Sequence, residues 1–129
     1  MIDQHREALE AFLDLLPAPR YERFDLADKL TKNYQSARQN ALEAVGVWLS
    51  FWRDVFVTAS GADLPLVNVD FTVQVQQAAA GIDARRAREL VIDHEEALQD
   101  LDRYANVQLT LEALMLKWPR MFLSPEEQA

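Results

Sequence analysis

His94 lies in the run Asp93-His94-Glu95-Glu96, where an imidazole and three carboxylates crowd together. Residues of those types can hold a divalent metal or move a proton. Spacing decides whether they converge. A carboxylate-bridged metal site in a helical bundle uses Glu-x-x-His pairs on facing helices. His94 has Val91 and Ala97 three residues to either side, and His5 has Ile2 and Ala8, so neither makes the pair. Neighbours one residue apart fan around a helix and do not meet. Two readings of His94 stand: a core histidine held by a hydrogen bond, or a functional histidine beside an acidic face. Other chemistries lack their parts. The chain has no cysteine, which excludes disulfides, thiolate metal sites and a cysteine nucleophile. Its three glycines, at 46, 61 and 81, are too scattered for a phosphate-cradling loop. No serine elbow is visible. No cofactor is expected.

The elements that must position these residues are helices. The chain has 129 residues, half of them hydrophobic, with three glycines and five prolines. That length implies one domain over 1–129, and that composition favours helix over a turn-rich β fold. The spacing predicts helices near 3–16, 20–32, 34–59, 71–80, 83–104 and 107–118. These make an all-α bundle of about five to six helices: lead-in helices over 1–32, a core bundle over 33–118 and a polar tail over 119–129. Pro17 and Pro19 separate the first two helices. Nothing in "TKNYQS" forces a break between the second and third. Residues 60–70 read as the long loop, in which "VNVD" could be a short extended piece. Asp83 and Asn106 read as N-caps.

The third helix carries "VGVWLSFWRDVFV". At 100° per residue, Val45, Val47, Trp48, Leu49, Phe51, Trp52, Val55 and Phe56 span roughly 200° of its circumference. An ordinary surface helix shows about 100° or a little more. This helix is therefore wrapped by its own neighbours on several sides, or one flank, including Val47, Trp48, Phe51, Trp52 and Arg53, is covered by another subunit. Arg85, Arg86 and Arg88 near a helix start are either a solvated face or a salt-bridging subunit contact. "WPRMF" offers Trp118, Met121 and Phe122 as a further contact, or folds back onto the core. The fifth helix places Ala87, Leu90, Val91, His94, Ala97, Leu98, Leu101 and Tyr104 on one stripe.

Charge narrows the partners. The formal net charge of −8 disfavours direct binding to nucleic acid. The N-terminus has no signal-peptide h-region and no apolar run reaches the roughly 18 residues of a spanning helix, so a cytoplasmic protein with no membrane partner is expected.

Three stretches together resemble a known family. "ALEAVGVWLSFWRDVFVTASGADLPLVNVD" resembles the long helix and following loop of the C-terminal domain of the bacterial DNA polymerase III clamp-loader delta-prime subunit, with the forms "WL..WRD.L" and "VN.D". "LDRYANVQLTLEALMLKWP" resembles its closing helix, "L.RN.NPRLALE.LLL.LP". "HREALEAFLDLLPAPRYERFDLADKLTK" is similar to the helices leading in. The matching positions are Trp52, Arg53, Asp54, Asn68, Asp70, Asn106, Leu109, Leu111 and Glu112. Val107 and Gln108 stand where the family usually has Pro-Arg, and the loader's related ATPase subunits share this domain type. The resemblance implies a non-catalytic collar domain, which packs against other clamp-loader subunits while AAA+ domains carry the ATP and DNA sites. It also implies that Met1 begins a piece of a longer chain, and that an isolated collar domain could self-associate. The competing expectations are a small ligand-binding or enzymatic bundle using His94 and its acidic neighbours, or an unrelated helical adaptor.

Overall fold

The computed structural model describes residues 2–103 and 106–123; Tyr104 and the tail 124–129 lie outside the described residues. Six α-helices follow one another: α1 (Ile2–Leu15), α2 (Arg20–Thr31), α3 (Ala37–Ala59), α4 (Thr72–Ala80), α5 (Ala84–Asp102) and α6 (Val107–Leu116). The fold is all-α. The "VNVD" segment does not extend into a strand: Val69–Phe71 forms a 3₁₀ turn that leads directly into α4.

The termini of the helices follow from local chemistry. Asp83 accepts the Arg86 amide at 2.7 Å and starts α5; Asn106 accepts the Leu109 amide at 2.9 Å and starts α6. Each satisfies one of the amide donors that a helix start leaves unpaired. At the end of α3, Gly61 adopts φ 74°, the left-handed conformation that costs glycine nothing. The Gly61 amide then reaches Thr58 O at 3.1 Å and the Ala62 amide reaches Val57 O at 3.2 Å. This pair of bonds closes the last carbonyls of the helix. Helices α2 and α3 are separate, because residues 32–36 leave the helical path in a turn.

Helix α3 is the axis of the bundle and packs against all five other helices. Its buried side chains are Ala37, Ala41, Val45, Trp48, Leu49, Phe51, Trp52, Asp54 and Val55. That surrounding explains the broad apolar arc: the chain's own helices cover it. Helices α1 and α2 belong to the same core, to which they bring Leu9, Phe12, Leu16 and Ala27. The region after α6 is also part of it. Trp118 and Met121 are buried, Leu123 packs against the core, and the Met121 amide donates to Leu16 O at 3.1 Å. The expected polar tail therefore does not begin at Pro119.

Candidate functional site

The stripe on α5 turns His94 inward, where it is fully buried. Nδ1–H donates to Leu90 O at 2.7 Å, and Nε2 accepts from the Trp118 indole N–H at 3.1 Å. The Trp118 ring lies nearly parallel to the imidazole, 3° from coplanar orientation at 6.4 Å between centroids. Burial pushes the His94 pKa down to about 4; the Leu90 carbonyl and Asp93 oppose that shift, and Lys117 adds to it. Both ring nitrogens are in use, so neither is left for a metal or a substrate. Asp93, Glu95 and Glu96 lie outside the core, and Asp93 takes Lys117 at 3.3 Å. Of the two readings of His94, the geometry supports the core histidine, held by two hydrogen bonds. Among the described residues, no three His, Asp or Glu side chains form a group able to hold a metal ion.

The tryptophan cluster is core as well. Trp48, Phe51 and Trp52 on α3, with Trp118 and Met121 beyond α6, are 0–8% exposed. Phe12 meets Trp118 edge-on at 4.9 Å, and Trp48 meets Trp118 at 4.8 Å with the rings perpendicular. Such pairs add about 0.5–1.5 kcal/mol each beyond area burial. These five side chains have no surface to offer a partner, because the folded chain covers them itself. The other contact candidates do face outward. Val47 is partly buried, and Phe122 is exposed under the Arg120 guanidinium. Arg53 pairs with Glu95 at 3.1 Å. Arg85 and Arg86 share Glu89 at 3.6 Å and 3.4 Å, and Arg86 also donates to Lys117 O. Arg88 is exposed.

Two polar constructions hold the bundle in shape. Asp54, 2% exposed, accepts the Val67 and Asn68 amides at 2.8 Å each and Asn68 Nδ2 at 2.9 Å. Asn68 Nδ2 also donates to Ser50 Oγ at 3.2 Å, and Asn68 Oδ1 meets His5 Nε2 at 2.7 Å. Arg6 pairs with Asp70 at 2.8 Å and lies 5.5 Å from the Phe71 ring centre. Of the positions matched in "WRD" and "VNVD", Asp54, Asn68 and Asp70 thus form a clamp that fastens the 60–70 loop to α3 and α1.

Arg23 is the second construction, and sequence reasoning missed it. Its side chain enters the core from α2 and donates to five backbone carbonyls. Leu15 O (3.0 Å) and Leu16 O (2.9 Å) lie at the end of α1; Met115 O (3.0 Å), Trp118 O (3.3 Å) and Pro119 O (3.5 Å) lie at the end of α6. Carbonyls at a helix C-terminus have no intrahelical donor and sit at the negative end of the dipole. A guanidinium fork can serve several of them at once. Desolvation, then Arg120 and Arg20, lower the Arg23 pKa. The available signal was an arginine one turn into a helix, beside two proline-marked breaks.

An open cleft of about 800 Å³ between the α2–α3 turn and the start of α6 is lined by Thr31, Tyr34, Gln35, Arg38, Gln39 and Gln108, among others. Its one charged group, Arg38, donates to Leu101 O. A shallower groove of about 390 Å³ runs between α5 and α6, with Asp93, Glu96 and Asp100 on one bank and Leu109, Thr110 and Ala113 on the other.

The buried polar side chains Arg23, Asp54, Asn68 and His94 all bond to groups of the chain itself. The chain belongs to the family described as DNA polymerase III, delta subunit, C terminal, whose model matches residues 3–120. It is therefore a C-terminal domain of the clamp-loader type, from a family of non-catalytic domains that associate with other subunits of the DNA polymerase III complex. No curated protein and no solved structure gives a match.

Proposed function

We propose that the chain is the collar domain of a delta-prime-like clamp-loader subunit, working in the cytoplasm to assemble the complex that loads the sliding clamp. The observation that carries this reading is the family match over residues 3–120. The delta-prime assignment rests on the sequence motifs at Trp52–Asp54, Asn68–Asp70 and Asn106–Glu112. The role is assembly: the chain supplies surface to neighbouring subunits, and ATP and DNA are handled elsewhere in the complex. Val47, Arg53, Arg85, Arg86, Arg88 and Phe122 remain as contact residues. Arg53, Arg85 and Arg86 already have weak exposed ion pairs, which a partner carboxylate can exchange at little cost.

A thermal melt tests the reading against a ligand-binding bundle, since whatever binds only the folded state raises its melting temperature. ATP, magnesium and zinc should leave the midpoint unchanged. The C-terminal domain of the loader's ATPase subunit should raise it in proportion to its concentration. A shift with nucleotide or metal and none with the subunit domain overturns the proposal.

A further inference from the structure

Helix α6 reads VQLTLEALML, ten residues with a single charge at Glu112. Leu111, Leu114 and Met115 face the core. Leu109, at 63% exposed, and Leu116, at 48%, do not, and Ala113 between them is also exposed. Positions 109, 113 and 116 follow the spacing that places side chains on one helical face. A helix that is apolar all round is normally surrounded. Among the described residues, nothing covers this second face of α6. Asn106, Leu111 and Glu112 each have work within the chain: a cap, a core contact and a bond from Gln108 at 3.2 Å. Leu109 has no such employment.

The α5 margin of this face is predominantly acidic. On the α5 side lie Glu96 and Asp100, exposed and without an ion pair among the described residues. On the α2 side lie Glu112 and Asp28, both of which accept from Gln108. Asp93 alone is neutralised, by Lys117. Lys29 on α2 and Lys32 just after it stand beside Asp25 and Asp28, so the bank that selects the occupant is the acidic one on α5. A second copy would set carboxylates against carboxylates, and a nucleic acid or an anionic membrane would be repelled. The stripe runs along the helix for two turns, roughly 10 Å. Its hollow at Ala113, between two leucines, can receive a partner side chain as a knob.

We propose that the outer face of α6, centred on Leu109, Ala113 and Leu116, docks an amphipathic helix of a partner protein whose apolar stripe is flanked by lysines or arginines. The identification of that partner as a loader subunit rests on the assembly reading above; the surface itself does not.

The test uses a synthetic three-heptad peptide, Leu-Lys-Lys-Leu-Ala-Lys-Lys repeated, titrated into the whole chain. Binding is read by calorimetry and amide NMR shifts. Micromolar binding with shifts centred on α6 is expected. Replacing every peptide lysine by glutamate, or every peptide leucine by glutamine, should abolish it. The double variant L109Q/L116Q, altered only at exposed positions, should keep its melting temperature and lose at least tenfold in affinity. E96Q/D100N should lose several-fold and flatten the salt dependence. Equal binding of the glutamate peptide, shifts on another face, or unchanged affinity in L109Q/L116Q overturns the proposal. The loader's ATPase subunit separates the two claims. If L109Q/L116Q binds that subunit as well as the parent chain does, the α6 face is wrong and the assembly role stands. If the parent chain binds the peptide at α6 but not the subunit, the surface stands and the loader role falls.

Discussion

The Trp118 indole donates its N–H to Nε2 of His94 at 3.1 Å, and that bond fixes the histidine as the neutral tautomer with its proton on Nδ1. A protonated ring would turn an N–H toward the indole N–H, two donors facing one another in a dry core.

The consequence is acid sensitivity. The His94 pKa is lowered to about 4 in the folded chain, against 6.5 for the ordinary group. The unfolded chain therefore binds the extra proton first, and stability falls as pH drops through 6.5 toward 4. Between pH 7 and pH 5 this residue alone should cost about 2 kcal/mol, at 1.36 kcal/mol per unit. Urea unfolding at the two pH values measures it. His94→Gln should be less stable at pH 7 and should lose most of this pH dependence. A His94→Gln slope equal to that of the parent chain would refute the assignment.

Arg23 should be the costliest surface-to-core arginine to remove. Arg23→Met leaves Trp118 O and Pro119 O without their donor, while Leu15 O, Leu16 O and Met115 O keep the Ala18, Met121 and Trp118 amides, so the cost is about 1–3 kcal/mol for each buried group left unsatisfied. Arg23→Lys keeps the charge but not the fork, and should recover less than half of the loss. Urea midpoints at constant m-value report both.

The Asp54–Asn68 clamp should show in local dynamics before it shows in global stability. Asn68→Ala removes the side-chain bonds to Asp54, Ser50 and His5. Asp54→Asn weakens the acceptor for two loop amides. Either change should speed hydrogen exchange at Val67 and Asn68 by at least tenfold while leaving the α5 amides protected. By contrast, Arg6→Ala breaks an exposed pair and should cost less than about 1 kcal/mol.

Two tryptophans should respond differently to loss of their indole N–H. Trp118 Nε1 has His94 as its acceptor, whereas Trp52 Nε1 is buried with no hydrogen-bond partner among the described residues. Trp118→Phe loses packing volume and also strands the His94 lone pair. Trp52→Phe loses volume but relieves an unsatisfied donor. Thermal unfolding should therefore find Trp118→Phe the more destabilising by about 1–2 kcal/mol.

The sequence carried the helices well because apolar periodicity and side-chain caps are local. Asp83 and Asn106 announce helix starts wherever the rest of the chain goes, and the α5 stripe put His94 on the inner face. The 200° arc of α3 was also visible, but its cover was not, since the helices that wrap it are distant in sequence. The sequence leaves open whether Trp118 and Met121 form a contact or fold back, for the same reason: the chain turns back after α6 to bond Leu16, more than a hundred positions earlier. Arg23 was hidden because its acceptors are backbone carbonyls, which leave no trace in side-chain pattern. The outer face of α6 was legible in principle, in ten residues with one charge, once the inner face was known.

The central claim is that this chain assembles with a clamp-loader subunit and performs no chemistry of its own. Light scattering after size-exclusion chromatography tests it most directly, with the chain alone and then mixed with the full-length loader ATPase subunit at tens of micromolar. The account predicts a stoichiometric complex whose mass is the sum of the components. Separate elution of the two full-length species at those concentrations would contradict it.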